Sequence, residues 1–117
     1  MSISTHVLSA LDGRPAEGMQ LELERLDDAG TRGAATRTAL GHGVTDADGR
    51  CPELTEGLTL EPGRYRLRFD TGAWFAGRGT ATFYPVVELT FEVTDAAAHY
   101  HVPLLLSPFA FSTYRGS

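Results

Sequence analysis

Two runs in this chain alternate apolar and polar residues one for one, and that period constrains the fold more than anything else in it. In Met19-Gln20-Leu21-Glu22-Leu23-Glu24, the side chains of Met19, Leu21 and Leu23 point one way and those of Gln20, Glu22 and Glu24 the other. In Arg64-Tyr65-Arg66-Leu67-Arg68-Phe69, the three arginines oppose Tyr65, Leu67 and Phe69. A period of two suits a half-buried antiparallel strand and cannot give a helix a continuous apolar stripe. A third run, Val86-Val87-Glu88-Leu89-Thr90-Phe91-Glu92-Val93, has the β-branched and aromatic content of a strand.

Turn chemistry separates these runs. Asp12-Gly13-Arg14-Pro15, Asp46-Ala47-Asp48-Gly49 and Glu61-Pro62-Gly63 each combine residues that favour tight reversals. Residues 4–11 read as an opening strand, with Thr5, Val7 and Ser9 on one face and His6, Leu8 and Ala10 on the other. Residues 27–39 are rich in Gly, Ala and Thr without periodicity, and read as a mobile connection with room for a short strand near its end. Residues 71–79 break the alternation: Thr71 is placed to cap a short helix carrying Trp74 and Phe75 and ending at Gly77 or Gly79. The closing strands begin at His99. Seven to eight short strands and one brief helix predict an all-β sandwich, a single domain over residues 1–117.

Composition narrows the function. A net charge of −5 gives no footing for general nucleic-acid binding. The single cysteine, Cys51, allows no intramolecular disulfide framework and fits a reducing compartment. Beside a turn, it reads as incidental and not as a nucleophile. The first residues have neither a basic region nor an apolar stretch of signal-peptide length, and no run approaches the roughly 18 apolar residues of a membrane span. A cytoplasmic location without a membrane partner is expected. The arginine row reads as a solvated strand face that also resists edge pairing. The Asp46–Asp48 segment lacks the oxygen ligands of a calcium loop and reads as a turn.

The chain's most specific stretch is its last. His99-Tyr100-His101-Val102-Pro103-Leu104-Leu105-Leu106-Ser107-Pro108 puts two histidines at i and i+2, on one face of a strand. It runs on to Tyr114-Arg115-Gly116-Ser117: a phenol, a guanidinium, a flexible hinge and a carboxylate. Both halves closely resemble the C-terminal signature of the 5-hydroxyisourate hydrolases, the enzymatic branch of the transthyretin-like family. The early segment Ser4-Thr5-His6-Val7-Leu8, followed by Gly13-Arg14-Pro15-Ala16, is similar to that family's N-terminal signature, with Ser9 standing where relatives commonly carry an aspartate. Arg50 follows a turn as the family's functional arginine does.

The resemblance implies a transthyretin-like sandwich that assembles as a homotetramer and hydrolyses 5-hydroxyisourate without metal or cofactor. It assigns catalytic roles to His6, Arg50 and His101, the last being the histidine immediately before Val-Pro, and a substrate-binding role to Tyr114. His99 reads as structural or peripheral, and His42 has no motif around it. A metal set of His6, His99 and His101 lacks a further ligand at recognisable spacing. A histidine can activate water near neutral pH, and a guanidinium can hold planar oxygens and a developing oxyanion; which histidine takes the proton is open. No GxSxG elbow supports a covalent route. Readings from two other classes remain: a carrier of hydrophobic ligands, opposed by the histidines and the closing tetrapeptide, and an adhesive sandwich module, for which a lone domain without a signal peptide is unfavourable.

Overall fold

The computed structural model describes residues 2–27 and 36–116. Among them are eight strands: β1 (Ser2–Ser9), β2 (Arg14–Pro15), β3 (Gln20–Asp27), β4 (Thr36–Val44), β5 (Gly63–Phe69), β6 (Val87–Val93), β7 (His99–Leu106) and β8 (Phe111–Thr113). A 3-10 turn, Pro52–Thr55, and one helix, α1 (Thr71–Ala76), complete the described elements. Two four-stranded sheets form, in the orders β2-β1-β7-β8 and β4-β3-β5-β6. Their inner faces carry the alternating apolar sets. Val7, Leu104 and Leu106 from the first sheet and Leu23, Tyr65, Leu67, Phe69, Val87 and Val93 from the second belong to one buried cluster. The expected β-sandwich is the observed architecture.

All pairings but one are antiparallel; β1 and β7 run parallel, from Ser2 beside His99 to Ser9 beside Leu106. Across the second sheet the polar faces also match. Arg64 meets Glu92 at 2.8 Å, Arg68 lies 3.5 Å from Glu22, and Arg66 lies between Glu24 at 3.3 Å and Glu88 at 3.6 Å. The expectation that these arginines guard an edge is corrected here: β5 is an interior strand, and its arginines pair with carboxylates on both neighbours. Opposite charges directly across a ladder reinforce the register.

Two further expectations change. Thr71 does not cap α1; Asp70 occupies that position, and the Thr71 hydroxyl instead donates to the Tyr84 carbonyl at 3.0 Å. Of the segment read as a connection, residues 28–35 lie outside the described residues, while residues 36–39 open the nine-residue β4. Glycines disguised that strand. A Cβ on Gly41 would stand 2.3 Å from the Leu54 carbonyl oxygen, and one on Gly43 would stand 2.4 Å from Cys51 Sγ. They are glycine because the 3-10 turn packs directly on β4.

Candidate active site

The face of β1 that turns from the core is set by its own alternation. Ile3, Thr5, Val7 and Ser9 are buried, so Ser2, Ser4 and His6 share the outer face. On β7, Tyr100, Val102 and Leu104 are buried, while His99 is exposed and His101 half-buried. The parallel register then puts Ser4 beside His101 and His6 beside Pro103. His99 and His101 do share a face, as their spacing predicts.

Arg50 reaches this face through its turn. The Asp46 carboxylate accepts the backbone N–H of Asp48 at 2.9 Å and of Arg50 at 3.0 Å. Gly49 adopts φ +77°, and its carbonyl accepts the Val7 N–H at 2.8 Å. A Cβ there would lie 2.4 Å from the Val7 carbonyl oxygen, so only glycine lets the turn press against β1. The result is a backbone bridge pairing Arg50 with His6. The Asp46 carboxylate closes a turn, as expected.

On the far side of β7 the chain folds back. After β8, Gly116 donates its N–H to the His101 carbonyl at 2.8 Å. A Cβ on Gly116 would fall 2.4 Å from Cδ2 of the His101 ring, so the residue read as a hinge is a surface against which the imidazole rests. Arg115 anchors this return: its guanidinium lies 4.6 Å over the Tyr100 ring, a cation–π contact. Hydrogen bonds to the Tyr100 hydroxyl from the Thr94 side chain and from the Asp95 and Thr94 backbone, with the Arg115 charge, hold that phenol below its ordinary pKa. Ser117 lies outside the described residues.

His101 is thus flanked by β1 on one side and by Gly116 on the other. Its pKa is pushed below the usual histidine value, first by burial and then by electrostatic repulsion from Arg50, His6 and His99. An imidazole so placed stays neutral, and keeps a lone pair, at neutral pH. Nδ1 of His101 is hydrogen-bonded to the Ser4 hydroxyl at 2.8 Å. The same hydroxyl reaches Nε2 of His99 at 2.9 Å, and His99 Nδ1 in turn meets the Ser2 hydroxyl. Ser4 escapes the sequence reading, and Gly116 reads there only as a hinge. The available signal was that Ser4 stands two residues before His6 and therefore shares its face.

The structure therefore brings His6, Arg50 and His101 together on one outer face. Tyr114 stands apart from that set: it is exposed and opens on a groove of about 370 Å³ along β6, whose lining includes His101 but neither His6 nor Arg50. A larger cleft of about 470 Å³ lies across β3, β4 and β5, lined by His42, Glu22 and Arg68 among others, and holds none of the candidate residues. Cys51 is buried beside Glu53, and burial with that neighbouring carboxylate pushes its thiol up to about 12, which leaves no thiolate for nucleophilic work. Among the described residues, no cluster of three or more His, Cys, Asp or Glu could hold a metal ion. Ser9, where an aspartate is common in the family, is buried with a hydroxyl that meets no partner among the described residues.

The model of the HIUase/transthyretin family matches residues 3–116. The chain belongs to that family. It is 44% identical to a 5-hydroxyisourate hydrolase of Mus musculus over 98% of this chain and 94% of the mouse protein. The solved 5-hydroxyisourate hydrolase of Klebsiella pneumoniae superposes with a TM-score of 0.81 at 37% identity, covering 98% of both chains. Sea bream transthyretin, solved in complex with thyroxine, superposes with a TM-score of 0.87 at 31% identity over 97% of this chain and 93% of its own. The backbone thus resembles the hydrolase and transthyretin alike.

Proposed function

We propose that this chain hydrolyses 5-hydroxyisourate to 2-oxo-4-hydroxy-4-carboxy-5-ureidoimidazoline in urate degradation, as one transthyretin-like hydrolase domain over residues 1–117. The observation that carries the reading is the convergence of His6, Arg50 and His101 on one face, with His101 held neutral beside a guanidinium. In the proposed reaction, water attacks the carbonyl of the six-membered ring and the N–C(=O) bond opens. His101 takes a proton from the water, because its depressed pKa leaves its lone pair available. His6 orients the water or returns a proton to the leaving nitrogen. Arg50 holds the urate-like oxygens and the charge that grows on the attacked carbonyl, the kind of preorganised stabilisation that typically contributes most. Tyr114 positions the ring from the groove that it shares with His101. The reaction needs no metal or cofactor.

Assembly and location belong to the same proposal. The β1–β7 face is open in one chain, and a homotetramer would close it. Exposed Phe83, Leu105, Phe109 and Phe111 lend support, since exposed apolar side chains grouped around one edge commonly mark contact surfaces. A cytoplasmic place is supported by the unpaired Cys51; no helix among the described residues is long and apolar enough to cross a membrane.

The test is direct. 5-Hydroxyisourate is generated from urate in situ, and its ultraviolet decay is followed with and without the protein. Accelerated decay is expected. The carrier reading, which the transthyretin superposition favours, requires unchanged decay together with saturable binding of a hydrophobic ligand such as thyroxine.

A further inference from the structure

Ser4 and His99 lie outside the residues given chemical roles above, yet they are hydrogen-bonded in series to His101. Each Ser4 contact involves a single oxygen, which has one proton to donate. Ser4 can therefore donate to one of its two imidazole neighbours and must accept from the other. With both imidazoles neutral, the chain His101–Ser4–His99–Ser2 has two self-consistent directions. In the first, His101 carries its proton on Nδ1 and donates it to Ser4, Ser4 donates to Nε2 of His99, and Nδ1 of His99 donates to Ser2. In the second, every bond is reversed and the proton of His101 sits on Nε2.

The two directions are not chemically equivalent at His101. Its Nδ1 is taken by Ser4, while Nε2 meets no hydrogen-bond partner among the described residues and is the nitrogen left for water or substrate. Only the first direction leaves a lone pair on that nitrogen. Arg50 at its turn, His6 on β1 and His99 on β7 itself all work against adding a proton to the ring, while Glu88, Glu92, Tyr114 and Arg115 line the groove on its other side. The second ring nitrogen of a histidine is set by the hydrogen bond that the first one makes.

We propose that Ser4 and His99 are positioning residues, which through the chain His101–Ser4–His99–Ser2 hold His101 as the Nδ1–H tautomer with its Nε2 lone pair open to the site. Ser4 and Ser2 are half-buried links, and exposed His99 connects them to solvent. This rests on the reading of His101 as the group that accepts the proton. It gives His99 a role that its position in the sequence motif did not suggest.

Two measurements on the full chain test the proposal. Nitrogen-15 spectra of the imidazoles report which ring nitrogen carries the proton. In the wild type, Nδ1–H is expected for His101, and in Ser4→Ala a mixture of tautomers. Kinetically, Ser4→Ala should lower kcat by about 10–100-fold, the usual consequence of losing a partner that orients a functional histidine, with KM changed less than about twofold on the same reasoning. Ser4→Thr, which keeps the hydroxyl, should restore the rate. His99→Ala should lower kcat, and His99→Gln, whose amide can meet the Ser4 hydroxyl, should recover most of it. Thermal melting of each variant checks folding.

A wild-type His101 protonated on Nε2, or a folded Ser4→Ala enzyme with undiminished kcat, would overturn the proposal. The underlying reading fails separately: an active His101→Asn would remove the base itself, whereas an inactive His101→Asn beside a fully active Ser4→Ala would remove only the chain.

Discussion

Replacing Gly116 by alanine offers the sharpest test of how the chain's last residues serve the site. The added Cβ would stand 2.4 Å from Cδ2, 3.1 Å from Cγ and 3.2 Å from Cβ of His101. Carbon atoms in contact prefer separations of about 3.5–4.0 Å, so the tail or the ring must retreat by more than about 1 Å. The ring cannot retreat towards β1 without compressing its 2.8 Å bond to Ser4. A displacement of that size at a reacting group can cost about 10²-fold in rate, and kcat for 5-hydroxyisourate decay is expected to fall by about that factor. Gly116 lies beyond β8 and outside the core, so the melting temperature should stay close to wild type; substitutions of this kind usually change stability by less than about 0.5 kcal/mol. Gly77→Ala is the matched control, because its Cβ would meet nothing nearer than 3.6 Å and its φ is helical. Unchanged kcat in Gly116→Ala would refute the argument, as would a loss of rate accompanied by a comparable loss of fold.

His101→Asn keeps a polar side chain but removes the base, and a folded variant should lose about 10²–10⁴-fold in rate, the usual worth of general acid–base catalysis. Because burial and positive neighbours lower the His101 pKa, the acid limb of a kcat/KM profile should fall below pH 6.5. Stability follows the same sign: in the window just below that value the unfolded chain binds the proton more readily, so stability falls as pH falls. Dialysis against a strong chelator should leave the rate unchanged; loss that zinc restores would bring back the three-histidine metal set. Light scattering should give a homotetramer, and a fully active monomer would defeat that assignment.

Local pattern made the strands legible and left their partners hidden. Leu21, Leu23, Tyr65, Leu67 and Phe69 announced β3 and β5 because each alternation is written within one strand. That β5 is interior depends on strand order, which no local window contains, and the arginines were consequently misread as an edge. Strand β4 was legible only as room for a short strand at the end of an aperiodic connection; it runs on to Val44 through Gly41 and Gly43, whose lack of a side chain makes room for the 3-10 turn. The site divides in the same way. His6, Arg50 and His101 were named from motifs, but their meeting depends on the parallel β1–β7 register. Ser4 became visible only once that register put its hydroxyl between two imidazoles. Thr71 had the composition of a cap, but a carbonyl on another loop claimed its hydroxyl.

The parallel pairing of β1 with β7 also bears on when activity can first exist. Ser4 and His101 are 97 positions apart, and their contact closes nearly the whole described chain into one loop. Closing a loop grows more costly only slowly with length, but contacts of such separation are formed late and slow the folding of strand-rich proteins. A ribosome that has delivered β1 to β6 has produced most of the core and both serines of the hydrogen-bonded chain, but neither of its imidazoles. Until β7 emerges and slides in beside β1, the nascent protein exposes an unpaired strand edge at Ser2–Ser9. Stability and catalysis therefore mature at different moments of synthesis, and a chaperone that shields β1 during that interval would govern yield without touching the chemistry.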